Sequence, residues 1–145
     1  NAGVHLAHGM SYPVSGMVKD YVPDGYPEGH AMVPHGMGVI ISAPSVFRYT
    51  APINPERHLH CARILGADTA GASLEDAGEL LAEAITGYIK ELDIPNGLSG
   101  VGYTEDDIDA LVQGTLPQHR VTKLSPRPID EPNLRRMFQD SMTLW

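Results

Sequence analysis

The chain has 145 residues, 42% of them hydrophobic, which suffices for one core and does not require two. Ten Lys and Arg against eighteen Asp and Glu leave a net charge of −8, which argues against nucleic acid or an anionic membrane as partner. The single cysteine, Cys61, excludes a disulfide framework and a Cys-rich metal cluster, and no stretch approaches the roughly 20 apolar residues of a bilayer span.

With no secretion-signal order at the N-terminus, these features point to a soluble protein of a reducing compartment, the cytoplasm, with the mitochondrial matrix as the alternative. The chain opens on Asn1, and Asn1 to Leu6 already carries an apolar pattern, so it is expected to be a piece of a longer protein.

In chain order, Val4 to Val18 is the first candidate helix, followed by a loop from Lys19 to Pro34 rich in Pro and Gly. Pro34 precedes a helix expected to start at His35 and run through Gly38, Ile41, Val46 and Phe47; it includes Val39 to Ile41, the only β-branched run. Asn54 and Pro55 open a helix through Leu65 that Gly66 closes. The strongest periodicity spans Ser73 to Leu92, where Leu74, Ala77, Leu81, Ala84, Ile85, Tyr88 and Leu92 predict one buried face. Ser73 is the expected N-cap, its side chain accepting from free backbone N–H groups, with Glu75 and Asp76 at the positive end of the dipole.

Thr104 to Asp107 opens another helix, with Ile108, Leu111 and Val112 on its apolar side. A second proline-rich loop covers Leu116 to Pro132, and Asp130 to Pro132 starts a last helix carrying Leu134, Met137, Phe138, Met142 and Leu144. No segment alternates with a period of two, so the fold class is all-α, a helical bundle in one domain.

Of seven histidines, His5, His8, His30 and His35 fall in the first quarter of the chain. On a helix, His8 and Tyr12 lie one turn apart on one face, and a neutral imidazole at the start of the next helix can offer its nitrogen to a shared cation. Spacing alone chooses no ligand set among the four, and it equally allows hydrogen-bonded packing roles. His58 and His60, two apart on one helix, read as surface residues, and Cys61 as inert packing.

The run NAGVHLAHGMSYP from Asn1 to Pro13, with VPHGM from Val33 to Met37, resembles the C-terminal signature of iron-containing alcohol dehydrogenases. The segments PERH (55–58), ILGAD (64–68), DAG (76–78), VGY (101–103), GTLPQ (114–118), RVTKL (120–124) and PRP (126–128) are similar to its hydroxyacid-oxoacid transhydrogenase branch. The resemblance covers essentially the whole chain. It implies the C-terminal metal-binding domain, residues 1–145, of the dehydroquinate synthase-like, iron-dependent alcohol dehydrogenase fold, without the upstream nucleotide-binding domain.

It further implies that His8 and His35 are two of the metal ligands, the remaining Asp and His lying upstream. The metal would be Fe2+ or Zn2+, and NAD would be bound mainly by the absent N-terminal domain. Tyr12 stands where many members carry a further histidine and is the candidate catalytic residue, expected to hydrogen-bond substrate. The stretch between Tyr12 and His35 is longer than in fermentative members, as an insertion at the cleft rim.

The implied substrates are carboxylates, a hydroxyacid and an oxoacid such as 4-hydroxybutyrate and 2-oxoglutarate. Arg120, Lys123 and Arg127, the one concentrated basic group, are candidates to bind them, or else to pair with acidic helix starts or the missing domain. Lys19 and His30 are weaker candidates. The expected partners are the small-molecule substrate, the missing domain and a second copy of the chain, and the isolated chain is expected to be inactive with its two long loops partly disordered. The alternatives are a non-catalytic helical metal-binding module in which His5, His8, His30 and His35 complete a site on their own, and a purely structural helical interaction domain with no metal.

Overall fold

The computed structural model describes residues 3–145; residues 1 and 2 of the N-terminal motif lie outside them. Seven α-helices follow in order: α1 (Leu6–Gly16), α2 (His35–Thr50), α3 (Pro55–Ile64), α4 (Ala77–Glu91), α5 (Ile108–Thr115), α6 (His119–Thr122) and α7 (Glu131–Asp140). Short 3-10 turns cover Ala51–Ile53, Leu74–Asp76, Ser99–Val101 and Glu105–Asp107, and there is no strand among the described residues. Val39 to Ile41, β-branched as they are, lie inside α2, where tertiary burial overrides a weak local preference.

Helix α2 is the centre of the fold because it is apolar or small nearly all round, burying Gly38 and everything from Ile41 to Val46. Ile41 and Val46 join a core with Leu6, Met10 and Val14 of α1, Leu111 of α5 and Leu134 and Phe138 of α7. Ala43 faces a second, smaller core with Ala62 of α3 and Leu81, Ile85 and Ile89 of α4. The single thiol, Cys61, is half-buried against that second core.

Local chemistry sets the helix starts. The Asn54 side chain accepts from the Arg57 N–H and that of Asp130 from the Asn133 N–H, each with proline just inside the helix. Ser73 is the N-cap as expected, in a reciprocal capping box with Asp76 whose Oδ2 accepts from the Ser73 N–H and hydroxyl at 2.8 Å, and a 3-10 turn precedes α4. Thr104 and Asp107 repeat this arrangement before α5. The expected apolar faces are too wide at their ends: Leu74, Tyr88 and Leu92 are exposed, and Met142 and Leu144 lie beyond the end of α7.

Tyr103 closes the far end of α1. Its hydroxyl donates to the Val14 carbonyl at 2.6 Å in the interior, and burial pushes its pKa up to about 12. This fills a gap that helix geometry creates, since the last carbonyls of a helix lack intrahelical donors.

The two expected loops have different fates. Residues 17–34 form an irregular excursion tied at its base: Lys19 pairs with Asp107 at 2.7 Å, the Met32 N–H donates to the Tyr21 carbonyl, and Ser15 Oγ to that of Val33. The loop after Leu116 is corrected by one turn of helix, α6, whose Val121 and Thr122 are buried against α1. No helix among the described residues is long and apolar enough to cross a membrane.

Candidate metal centre

His8 lies in the first turn of α1 and His35 opens α2. Small residues bring these helices together: a Cβ built on Gly38 would sit 3.2 Å from Ser15 Oγ and 3.4 Å from Ser11 Cβ. The approach leaves the two imidazoles edge to face, with ring centroids 5.2 Å apart and planes at 61°. Tyr12, one turn after His8, lies over His35 at 6.3 Å with planes at 20°.

Arg120 completes the group from a distant part of the chain. A Cβ on Gly9 would meet Thr122 Cγ2 at 3.1 Å, so the bare backbone of residue 9 lets α6 lie closely against α1. From there Arg120 Nη2 donates to the Tyr12 hydroxyl at 2.9 Å, with its Cζ 5.7 Å from the ring centre.

The donors fit a divalent cation. Neither imidazole is tied up in a hydrogen bond to another side chain or to backbone among the described residues, and burial together with the nearby His35 ring holds the His8 pKa below its ordinary value. His8 is thus a neutral nitrogen donor at physiological pH. Two imidazoles on one ion at about 2.1 Å, at a roughly tetrahedral angle, hold their centroids about 5 Å apart, which is the separation found here. The set is incomplete, since no group of three or more His, Cys, Asp or Glu able to hold a metal ion occurs among the described residues.

The self-contained four-histidine site is therefore not assembled. His30 is exposed on the first loop, and His5 sits half-buried at the start of α1, its Nδ1 buried without a partner and its pKa lowered by burial first and then by His8 and His58. His58 is corrected from a surface residue to a corner brace: its ring nitrogens reach the Asn54 carbonyl at 2.8 Å and Thr50 Oγ1 at 3.0 Å, with Phe47 edge-on.

The basic group Arg120, Lys123 and Arg127 is split. Arg120 alone joins the histidines. Lys123 is exposed beside His119 in a cleft lined by Leu116 and Ile129, and Arg127 turns to α2, stacking 4.2 Å over Tyr49 and donating to its carbonyl at 3.0 Å. Among the described residues none of the three pairs with an acidic helix start. Lys19 does, through Asp107.

An all-helical domain thus brings two unengaged imidazoles, a tyrosine and an arginine together on one rim. Residues 1–142 match the model of the Fe-containing alcohol dehydrogenase family, C-terminal part. The chain belongs to that family. It is 56% identical over 146 residues to a probable mitochondrial hydroxyacid-oxoacid transhydrogenase of Dictyostelium discoideum and 53% identical over 145 residues to the human mitochondrial hydroxyacid-oxoacid transhydrogenase, in each case over 100% of this chain.

It spans only 27% and 31% of those proteins. Among solved structures, an alcohol dehydrogenase from Oenococcus oeni superposes with a TM-score of 0.81 at 25% identity over 97% of this chain and 33% of that one. A 1,3-propanediol oxidoreductase gives 0.76 at 25% identity over 93% and 32%.

Proposed function

We propose that this chain is the metal-binding helical domain, residues 1–145, of a hydride-transferring oxidoreductase of the hydroxyacid-oxoacid transhydrogenase type. An upstream nucleotide-binding domain would complete the enzyme. The reading rests on one observation, the His8 and His35 rings at ion-sharing distance with Tyr12 and Arg120 beside them. It is supported by the transhydrogenase relatives, whose mitochondrial naming also favours the mitochondrial matrix over the cytoplasm.

His8 and His35 would hold half of the coordination shell of a divalent iron, the other half coming from upstream residues. When bound, the ion supplies Lewis acidity that makes a substrate hydroxyl easier to ionise. NAD on the upstream domain would carry hydride between a hydroxyacid such as 4-hydroxybutyrate and an oxoacid such as 2-oxoglutarate. The Arg120 guanidinium can grip the substrate carboxylate through the donors it does not spend on Tyr12. Tyr12 accepts from Arg120, so its own proton is free for a substrate oxygen. Lys123 and Arg127 take no part in this arrangement.

In the intact protein, His8→Ala and His35→Ala are expected each to lower metal affinity by more than about tenfold, read by elemental analysis, with turnover lost in parallel. Arg120→Gln is expected to raise KM for the hydroxyacid far more than it lowers kcat. Full metal content and turnover in both histidine variants would overturn the reading. The isolated chain is expected not to turn over 4-hydroxybutyrate.

A further inference from the structure

Three of the ten basic residues line one cleft, formed by the second half of α2, the segment before α7 and α7 itself, in a chain of net charge −8. Its volume is about 360 Å³, and Arg48, Arg127 and Arg136 face it together with Tyr49, Asn133 and a single acid, Asp140. We propose that this cleft is a second anion site, taking a small anion with several oxygens, a phosphate or a dicarboxylate.

Two of the guanidiniums are held ready. Arg127 is stacked on Tyr49 and fixed by the Tyr49 carbonyl, and no carboxylate lies within ion-pair distance of it among the described residues. Arg48 gives Nε and Nη2 to Glu79 at 2.6 Å each, which fixes the plane and leaves Nη1 to donate. Immobilised donors bind an anion without further loss of side-chain freedom. Arg136 is the adjustable member: its side chain is 83% exposed and only 3.8 Å from Asp140, a contact that solvent weakens enough for a ligand to displace it. The Asn133 side-chain amide, which has no hydrogen-bond partner among the described residues, adds a neutral donor.

The site is distinct from the histidine pair. Arg48 lies thirteen residues along α2 from His35, about 20 Å by helix geometry. Glu79 balances Arg48 and Asp140 lies beside Arg136, so Arg127 carries the unbalanced charge, and an anion with several oxygens can bridge its guanidinium to the free donors of the other two.

The test is titration of the intact protein with inorganic phosphate and, separately, with succinate at constant ionic strength, read by calorimetry and by the thermal midpoint. Saturable binding of either is expected to persist in the Arg120→Gln background, where the carboxylate grip beside the histidines is removed, and to weaken about tenfold or more when Arg136→Gln or Arg127→Gln is added. Phosphate alone saturating assigns a phosphorylated ligand; succinate alone assigns a dicarboxylate. The exposed Arg136 side chain can be replaced without disturbing the core, so the outcome does not depend on whether Arg127→Gln folds. Failure of both anions to saturate, unchanged affinity in Arg136→Gln, or loss of binding in Arg120→Gln overturns the proposal, and none of these bears on metal binding by His8 and His35.

Discussion

Tyr103 carries more of this fold than its place in a short turn suggests. Its buried hydroxyl is the donor to Val14 at the end of α1, the helix that bears His8 and Tyr12. Tyr103→Phe leaves that carbonyl unpaired inside the protein and is expected to cost about 1–3 kcal/mol, read as a lower denaturation midpoint. The pH dependence has a definite sign. The folded pKa of about 12 lies above the ordinary 10, so the contribution is fully present below pH 10 and is lost as pH rises toward 12. Stability measured between pH 9 and 12 is therefore expected to fall less steeply in Tyr103→Phe than in the parent; equal slopes would show that the hydroxyl is not a determinant.

At the level of elements, glycine and carboxylate positions decide how helices meet. Gly38→Val places methyl groups against Ser11 and Ser15 where α1 and α2 touch, an overpacking expected to cost about 1–3 kcal/mol. Because the same contact sets the distance between His8 and His35, metal affinity should fall with it, a joint loss that elemental analysis and thermal denaturation together detect. Gly87 is the opposite case: it is exposed in the middle of α4 and a Cβ there meets nothing within 4 Å. Gly87→Ala is expected to raise stability by about 1 kcal/mol through backbone entropy and helix propensity alone.

Three carboxylates at element junctions have lowered pKa values: Asp76 through its bonds from Ser73, Glu79 through Arg48, and Asp107 through Lys19 and then Thr104. Their contribution is present above the ordinary carboxylate range and is lost as pH falls through the lowered folded values. Acid titration below pH 4 should therefore loosen the start of α4, the start of α5 and the tie at the base of the first loop. An Asp76→Asn, Asp107→Asn double variant should show a flatter acid limb in a stability-versus-pH measurement.

Across the molecule, α2 joins two cores, and Phe138, fully buried among α1, α2, α5 and α7 residues, anchors the larger one. Phe138→Ala is expected to cost about 3–5 kcal/mol by chemical denaturation, enough to threaten the fold of a domain this size. The helix starts at Asn54, Ser73, Thr104 and Asp130 and the all-helical class could be read from residues close together in the chain, whereas His8 and His35 were singled out from the other histidines only by the family resemblance. Caps and apolar periods are interactions between a residue and its third or fourth neighbour, so they are written locally. Tertiary packing alone decided that Arg120 reaches Tyr12 across 108 positions while Arg127 turns away to Tyr49. It alone also gathered Arg48, Arg127 and Arg136 around one cleft. Which side chains converge depends on the faces that helices bury and on how closely Gly9 and Gly38 let them approach, and neither is fixed until the whole chain has packed.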